Sequence, residues 1–188
     1  MPGSAHDGKS CDSPHRPPMP SPIGHALAGM AVGWAIADPV VPPRRRAVEP
    51  AIFGAVAVAP DLDLLIGWHR MYVHSIGATL VVLLVARLTL GPGQWRLALA
   101  FAAAWGSHLF LDWLGNDTSA PFGLMALWPF SDAYYQSSLG LFDAVSRRYW
   151  LPQEFIWHNL AAAMKEIVII GPFALAAFGR ARWRRMRE

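Results

Sequence analysis

The stretch GSHLFLDWLGND, residues 106–117, sets an imidazole and a carboxylate four positions apart inside an otherwise apolar run. A carboxylate at the centre of a membrane helix costs about 2.5–3.5 kcal/mol unless a partner offsets it. His108 and Asp112, at i and i+4, share one helix face, the spacing of other helical ligand pairs. More ionisable residues lie in similar settings: His25 opens a run in SPIGHALAG, Asp61 and Asp63 end one in APDLDLL, and His69, Arg70 and His74 occupy the turn HRMYVHS. Imidazoles and carboxylates in this mixture are the ligand set of a divalent cation, and they suit zinc, manganese or iron. One ion takes three or four protein ligands, so His25, Asp61, Asp63, His69, His74, His108 and Asp112 could hold one or two. Asp61 and Asp63 would diverge on a regular helix. After Pro60, an unwound backbone can aim both inward, or one can stand behind a histidine and orient it.

A divalent ion lowers the pKa of bound water from about 15.7 towards 7, and two ions about 3.5–4 Å apart can stabilise the attacking and leaving oxygens of a phosphoester. Asp63 and Arg70 are the candidate catalytic side chains. The Arg70 guanidinium is a planar fork suited to phosphate, with snorkelling to lipid headgroups as its ordinary alternative. Alone, each residue has an ordinary role too: His25 as a helix-end histidine, Asp61 as a turn residue after proline, His69 or His74 as an interfacial side chain. Glu154 and His158, again four apart, could complete the shell or form a helix-surface pair, and Lys165 with Glu166 suggests an internal charge pair. Asn116 and Asp117 could orient water or cap a turn. The chain has no HExxH to fix a protease, and no serine elbow or phosphate-cradling glycine loop to offer a metal-free mechanism. A metal transporter or sensor, or bis-histidine haem binding, would also use intramembrane ligands. Transport calls for polar residues towards the opposite face, where the runs are almost wholly apolar, and haem does not need three carboxylates.

The elements that must position these groups are apolar. Of 188 residues, 54% are hydrophobic and 15% charged, nine are Trp, and mean hydropathy is +0.27, a membrane-protein composition. Five apolar runs, about 22–38, 50–67, 74–91, 95–114 and 158–179, predict an all-α integral membrane bundle of about five transmembrane helices. About 17–20 helical residues span the hydrocarbon core, so the first two runs are short and the second, with Pro60, is a candidate broken or tilted helix. The 43-residue connection 115–157 is too long for a bare loop and predicts a cap with short elements of its own. Its aromatic stretch LWPFSDAYY fits an interfacial belt or a lid. Residues 1–21, rich in Pro, Ser and Gly without an apolar core, predict a flexible leader carrying the single Cys11. Residues 22–179 form one domain, and 180–188 a basic tail.

If all five runs cross, one face receives Arg44, Arg45, Arg46, Arg87, Arg96, Arg180, Arg182, Arg184, Arg185 and Arg187, and the other Lys9, Arg16, Arg70, Arg147 and Arg148. The positive-inside rule makes the first face cytoplasmic and the tail RARWRRMRE its anchor. With one aromatic in it and a hydrophobic helix beside it, the tail does not fit a nucleic-acid patch. Alternation alone brings every candidate ligand to a single membrane face, which the charge count names as the outer one.

The segments GHALAG, APDLD, HRMYVHS and SHLFLD, followed by LMALWPFSD, resemble in order the GH opening, PDxD, HRxxTHS, HxxxD and Leu-Trp-Pro loop of the YdjM-like (LexA-regulated) membrane-bound metal-dependent hydrolases. The resemblance covers about residues 21–132. Val73 stands where the family has Thr, which removes a hydroxyl without touching a ligand. By this resemblance the seven His and Asp residues named above are the metal-site residues, and the chain sits in the bacterial inner membrane. A remoter analogy runs to zinc-dependent phospholipase C. The expectation is a multi-pass metallohydrolase with zinc or manganese, cleaving a phosphoester of a lipid or lipid-linked substrate. Hydrolysis of an amide or ester bond, or a non-enzymatic transporter or sensor, is the alternative, and no oligomeric state is implied.

Overall fold

The computed structural model describes residues 20–37, 49–65, 70–117, 122–146 and 148–187. Among them there are five α-helices and no strand: α1 (Pro22–Ile36), α2 (Glu49–Val58), α3 (Ile76–Leu90), α4 (Trp95–Leu114) and α5 (Pro152–Arg185), with 3-10 segments at Ala59–Leu65 and Tyr72–His74. Local chemistry sets the boundaries. The Ser21 hydroxyl accepts from Gly24 N at 3.2 Å and Pro22 opens the first turn of α1. Ser75 caps α3 in the same way, accepting from Ala78 N at 3.1 Å. Gly91, at φ 81°, ends α3 in a conformation that costs glycine little. Pro60 lacks an amide hydrogen for the α-helical ladder, and around it α2 gives way to the 3-10 turn that carries Asp61 and Asp63.

Small residues let the helices close on one another. α1 lies against α2, α4 and α5, while α4 also packs on α2 and α3. A Cβ on Gly29 would lie 2.3 Å from Ala57 Cβ and 2.7 Å from Phe53 O, and one on Gly33 would enter the Phe53 ring at 2.4 Å. The pair is a glycine seam of the kind that lets membrane helices approach closely. On α4, Ala98, Ala100, Ala102 and Ala104 are buried, and Phe53 fills the space between α1, α2 and α4.

Two helices, Trp95–Leu114 and Pro152–Arg184, are long and apolar enough to cross a membrane. α1 and α3 are apolar but have 15 residues each, and α2 has 10, short of the ~17 needed for a perpendicular crossing. The expected five-span bundle therefore reduces to an all-helical bundle with two helices of spanning length. α5, with 34 residues, is about 51 Å long at 1.5 Å per residue. It starts six residues before the apolar run, because Pro152 and the helix formers after it begin the helix in polar sequence. It also runs on through the basic stretch, of which 180–185 is helix rather than a separate tail. Residues 1–19 of the expected leader lie outside the described residues. Pro20 and Ser21 are buried and belong to the fold.

Between α4 and α5 the described chain carries no helix, only the isolated bridges Gly115↔Phe142 and Leu124↔Tyr135. Backbone bonds fix it onto the first residues of α3 and the turn before them: Ile76 N donates to Ala126 O (2.8 Å), Gly77 N to Trp128 O (3.0 Å) and Met125 N to Arg70 O (3.0 Å). At Gly77 a Cβ would lie 2.8 Å from Trp128 O, so only glycine admits this approach.

Candidate metal centre

His25 stands one turn into α1, Asp61 and Asp63 in the 3-10 turn after α2, His74 just before α3, and His108 and Asp112 in the last turns of α4. Because the chain reverses between these helices, the six side chains meet at one end of the bundle. His25, His74 and His108 are completely buried, and Asp63 and Asp112 nearly so.

The donor atoms converge. His74 Nε2 lies 3.0 Å from His108 Nε2, and Asp112 Oδ2 lies 3.4 and 3.2 Å from these two nitrogens. Asp61 Oδ1 is 3.5 Å from His108 Nε2 and 3.9 Å from His74 Nε2, while Asp112 Oδ1 is 3.4 Å from His25 Nε2. Tetrahedral zinc with bonds of about 2.0–2.1 Å separates its ligand atoms by about 3.3–3.4 Å, which is the spacing of this set. Both ring nitrogens of His25 and both carboxylate oxygens of Asp61 and of Asp112 are buried without a hydrogen-bond partner. Buried polar atoms in such number, close together yet not hydrogen-bonded, fit a shared cation. Two triads, His25–Asp61–His108 and His74–His108–Asp112, have ligand atoms within 4.8 Å of one another.

Tautomers sharpen the picture. His108 Nδ1 lies 2.7 Å from Ala57 O, a carbonyl that can only accept, so Nδ1 carries the hydrogen and Nε2 the lone pair. His74 Nδ1 lies 3.1 Å from Asp63 Oδ2, which likewise leaves Nε2 as its coordinating atom. Two nitrogen lone pairs would then face each other across 3.0 Å, a contact that is repulsive unless a proton or a metal cation lies between them. Burial disfavours charge on His74, but the carboxylates of Asp61, Asp63 and Asp112 outweigh it and raise this imidazole to about 9. The ring of His25 stacks on that of His108, centroids 3.8 Å apart and planes at 21°, whereas His74 meets His108 at 64°.

Other expected residues stand elsewhere. His69 lies outside the described residues. Arg70 is buried, holds φ 66°, and pairs with Asp117, which also accepts from Gly123 N at 2.8 Å. Asp117 is thus the anchor of Arg70 within the long connection. Glu154 pairs with exposed Arg148 at 3.1 Å, and His158 Nε2 contacts Ala144 O at 2.6 Å, so neither joins the six-residue cluster. Val73 contributes its carbonyl, which accepts from Trp105 Nε1 at 3.0 Å.

Lys165 and Glu166 do not pair with each other, because adjacent helical residues face different directions. Lys165 reaches Asp143 at 2.9 Å, while Glu166, fully buried, accepts from Ser21 N at 2.7 Å and from the Ser21 hydroxyl. This carboxylate ties α5 to the N-terminus of α1, one turn from His25. The signal for it in the sequence is an acid in the middle of an apolar run.

A family model described as YdjM inner membrane protein matches residues 19–184. No curated protein and no solved structure matches the chain.

Proposed function

The chain belongs to the YdjM inner membrane protein family, and on that premise we propose that it is a membrane-bound metal-dependent hydrolase, cleaving a phosphoester of a lipid or lipid-linked substrate. The observation that carries this reading is the facing pair of His74 and His108 Nε2 atoms at 3.0 Å, ringed by carboxylates without hydrogen-bond partners. His74, His108, Asp112 and Asp61 would hold a divalent cation, zinc or manganese by the donor set. Ala57 O and Asp63 act behind it, fixing the two rings by their Nδ1 atoms. When bound, the cation supplies Lewis acidity, bringing the pKa of water from about 15.7 towards 7.

Arg70 is assigned to the substrate phosphate. A non-glycine residue in the left-handed region costs about 1–3 kcal/mol, and strain of this kind clusters at functional sites. Asp117 steadies the guanidinium, whose planar fork suits a phosphate. The assignment to a lipid or lipid-linked substrate follows from family membership and from the apolar helices α4 and α5 beside the site. We take all five helices to thread the membrane in alternation, the shorter ones tilted or partial, with the centre towards the outer face by the arginine distribution.

The test is phosphate or phosphorylated headgroup release from mixed micelles by the purified full-length protein, with and without chelator. Release that stops with chelator and returns with zinc or manganese is expected. Metal-dependent release of fatty acid or amine instead would move the reaction to an ester or amide bond. Stable metal binding without any hydrolysis would replace the enzyme by a metal carrier or sensor.

A further inference from the structure

His25 is not placed to share one ion with both His74 and His108. An imidazole coordinates through a lone pair in its ring plane. His74 and His108 meet at 64°, with Nε2 atoms 3.0 Å apart, so their lone pairs can converge on one point. His25 and His108 cannot converge in this way. Their planes are within 21° of parallel and their centroids 3.8 Å apart, so a point in the plane of one ring lies well out of the plane of the other. Two stacked imidazoles direct their lone pairs at two separate points.

Asp112 divides in the same sense. Its Oδ1 faces His25 Nε2 at 3.4 Å, while Oδ2 faces His74 and His108 Nε2 at 3.4 and 3.2 Å. A carboxylate whose oxygens address different histidines is placed to bridge. Two-metal hydrolytic sites hold their ions about 3.5–4 Å apart, a separation that one carboxylate can bridge. His25 is fully buried with both nitrogens lacking hydrogen-bond partners, and Asp61 has both oxygens in the same condition. A cation at His25, beside Asp112 Oδ1 and Asp61, would satisfy these atoms.

We propose that the centre is dinuclear, with Asp112 bridging a cation on His74 and His108 to a second on His25, and Asp61 between them. The proposal rests on the metal reading of the cluster but not on its being a hydrolase. It also deepens the substrate class: paired cations clamp both the attacking and the leaving oxygen of an in-line displacement, which favours a phosphoester over a carboxylic ester or amide.

Full-length protein in detergent, stripped with chelator, reloaded with Mn(II) and desalted, is read by elemental analysis and electron paramagnetic resonance. Two manganese ions per chain with an exchange-coupled multiline spectrum are expected. In His25→Ala one ion should remain, with the six-line spectrum of isolated Mn(II), and Asp112→Asn should abolish the coupling. The wild-type spectrum decides even if a variant fails to fold. One ion per chain, two uncoupled ions, or a coupled pair that persists in His25→Ala would overturn the bridge. One ion with chelator-sensitive phosphate release defeats the dinuclear centre and leaves the hydrolase standing, whereas a coupled pair without phosphate release does the reverse.

Discussion

Replacing Asp63 separates a metal ligand from a residue that orients one. Its Oδ2 lies 3.1 Å from His74 Nδ1, the nitrogen on the far side of the ring from the Nε2 that meets His108, and the residue is buried. Losing such a partner leaves every Nε2 and carboxylate donor in place but frees the His74 ring to turn and lowers its basicity. Outer partners of this kind are worth 10–100-fold in metal affinity, or about 1.4–2.7 kcal/mol. Asp63→Ala should fall near the upper end of that range. Asp63→Asn, whose amide oxygen can still accept from Nδ1–H while the charge is gone, should fall near the lower end. A competition titration of the metal-free protein against a chromophoric zinc chelator measures both, with elemental analysis giving the stoichiometry. The expected result is weakened binding at unchanged stoichiometry, graded Ala over Asn. Loss of a whole metal equivalent in Asp63→Asn would make Asp63 a ligand, and affinities within threefold of wild type would remove it from the site.

Further outcomes follow from the same contacts. Glu166→Ala strands the Ser21 amide and hydroxyl in a buried place, costing about 1–3 kcal/mol for each unsatisfied group, so Tm should drop by several degrees. Glu166→Gln keeps an acceptor and a donor there and should recover at least half of that drop, and equal losses in the two variants would refute a hydrogen-bonding role. Asp117→Ala removes the carboxylate that pairs with buried Arg70 and accepts from Gly123 N, and up to about 3–5 kcal/mol of destabilisation is expected in chemical unfolding; under 1 kcal/mol would show the ion pair to be dispensable. With His74 raised to about 9, the metal-free site holds a proton at neutral pH that the cation must displace. Zinc affinity should therefore rise with pH up to about 9 and flatten above it, and calorimetry in buffers of different ionisation enthalpy should detect proton release at pH 7. Binding that is independent of pH between 6 and 9 would contradict a protonated His74.

Much of this centre was visible in residue types. His108 and Asp112 stood out because an imidazole and a carboxylate one turn apart are costly among Leu, Phe and Trp, and they do face the cluster together. Pro60 announced that α2 could not continue unchanged, and the 3-10 turn there brings Asp61 and Asp63 to different atoms of the same histidine. Helix positions followed from the apolar runs, but spanning length did not, because composition does not say where a helix stops. α2 yields to Pro60, and α5 extends into polar sequence at both ends. Contacts made by backbone atoms left no trace in composition: Ala57 O, which sets the His108 tautomer, could belong to any residue type. Glu166 was misassigned to Lys165 because the two are neighbours in sequence, whereas its partner Ser21 is 145 residues away. The stacking of His25 on His108 depends on how closely α1 approaches α4, a packing property that spacing along the chain does not encode.

A divalent cation is what holds these buried imidazoles and carboxylates together. Elemental analysis of the purified full-length protein beside its His108→Ala, Asp112→Ala double variant addresses it most directly, with circular dichroism confirming that both remain helical. About one to two equivalents of zinc or manganese per chain are expected in the wild type and none in the variant. A wild-type protein without stoichiometric metal, or a variant that retains all of it, would show that no cation is shared by these side chains.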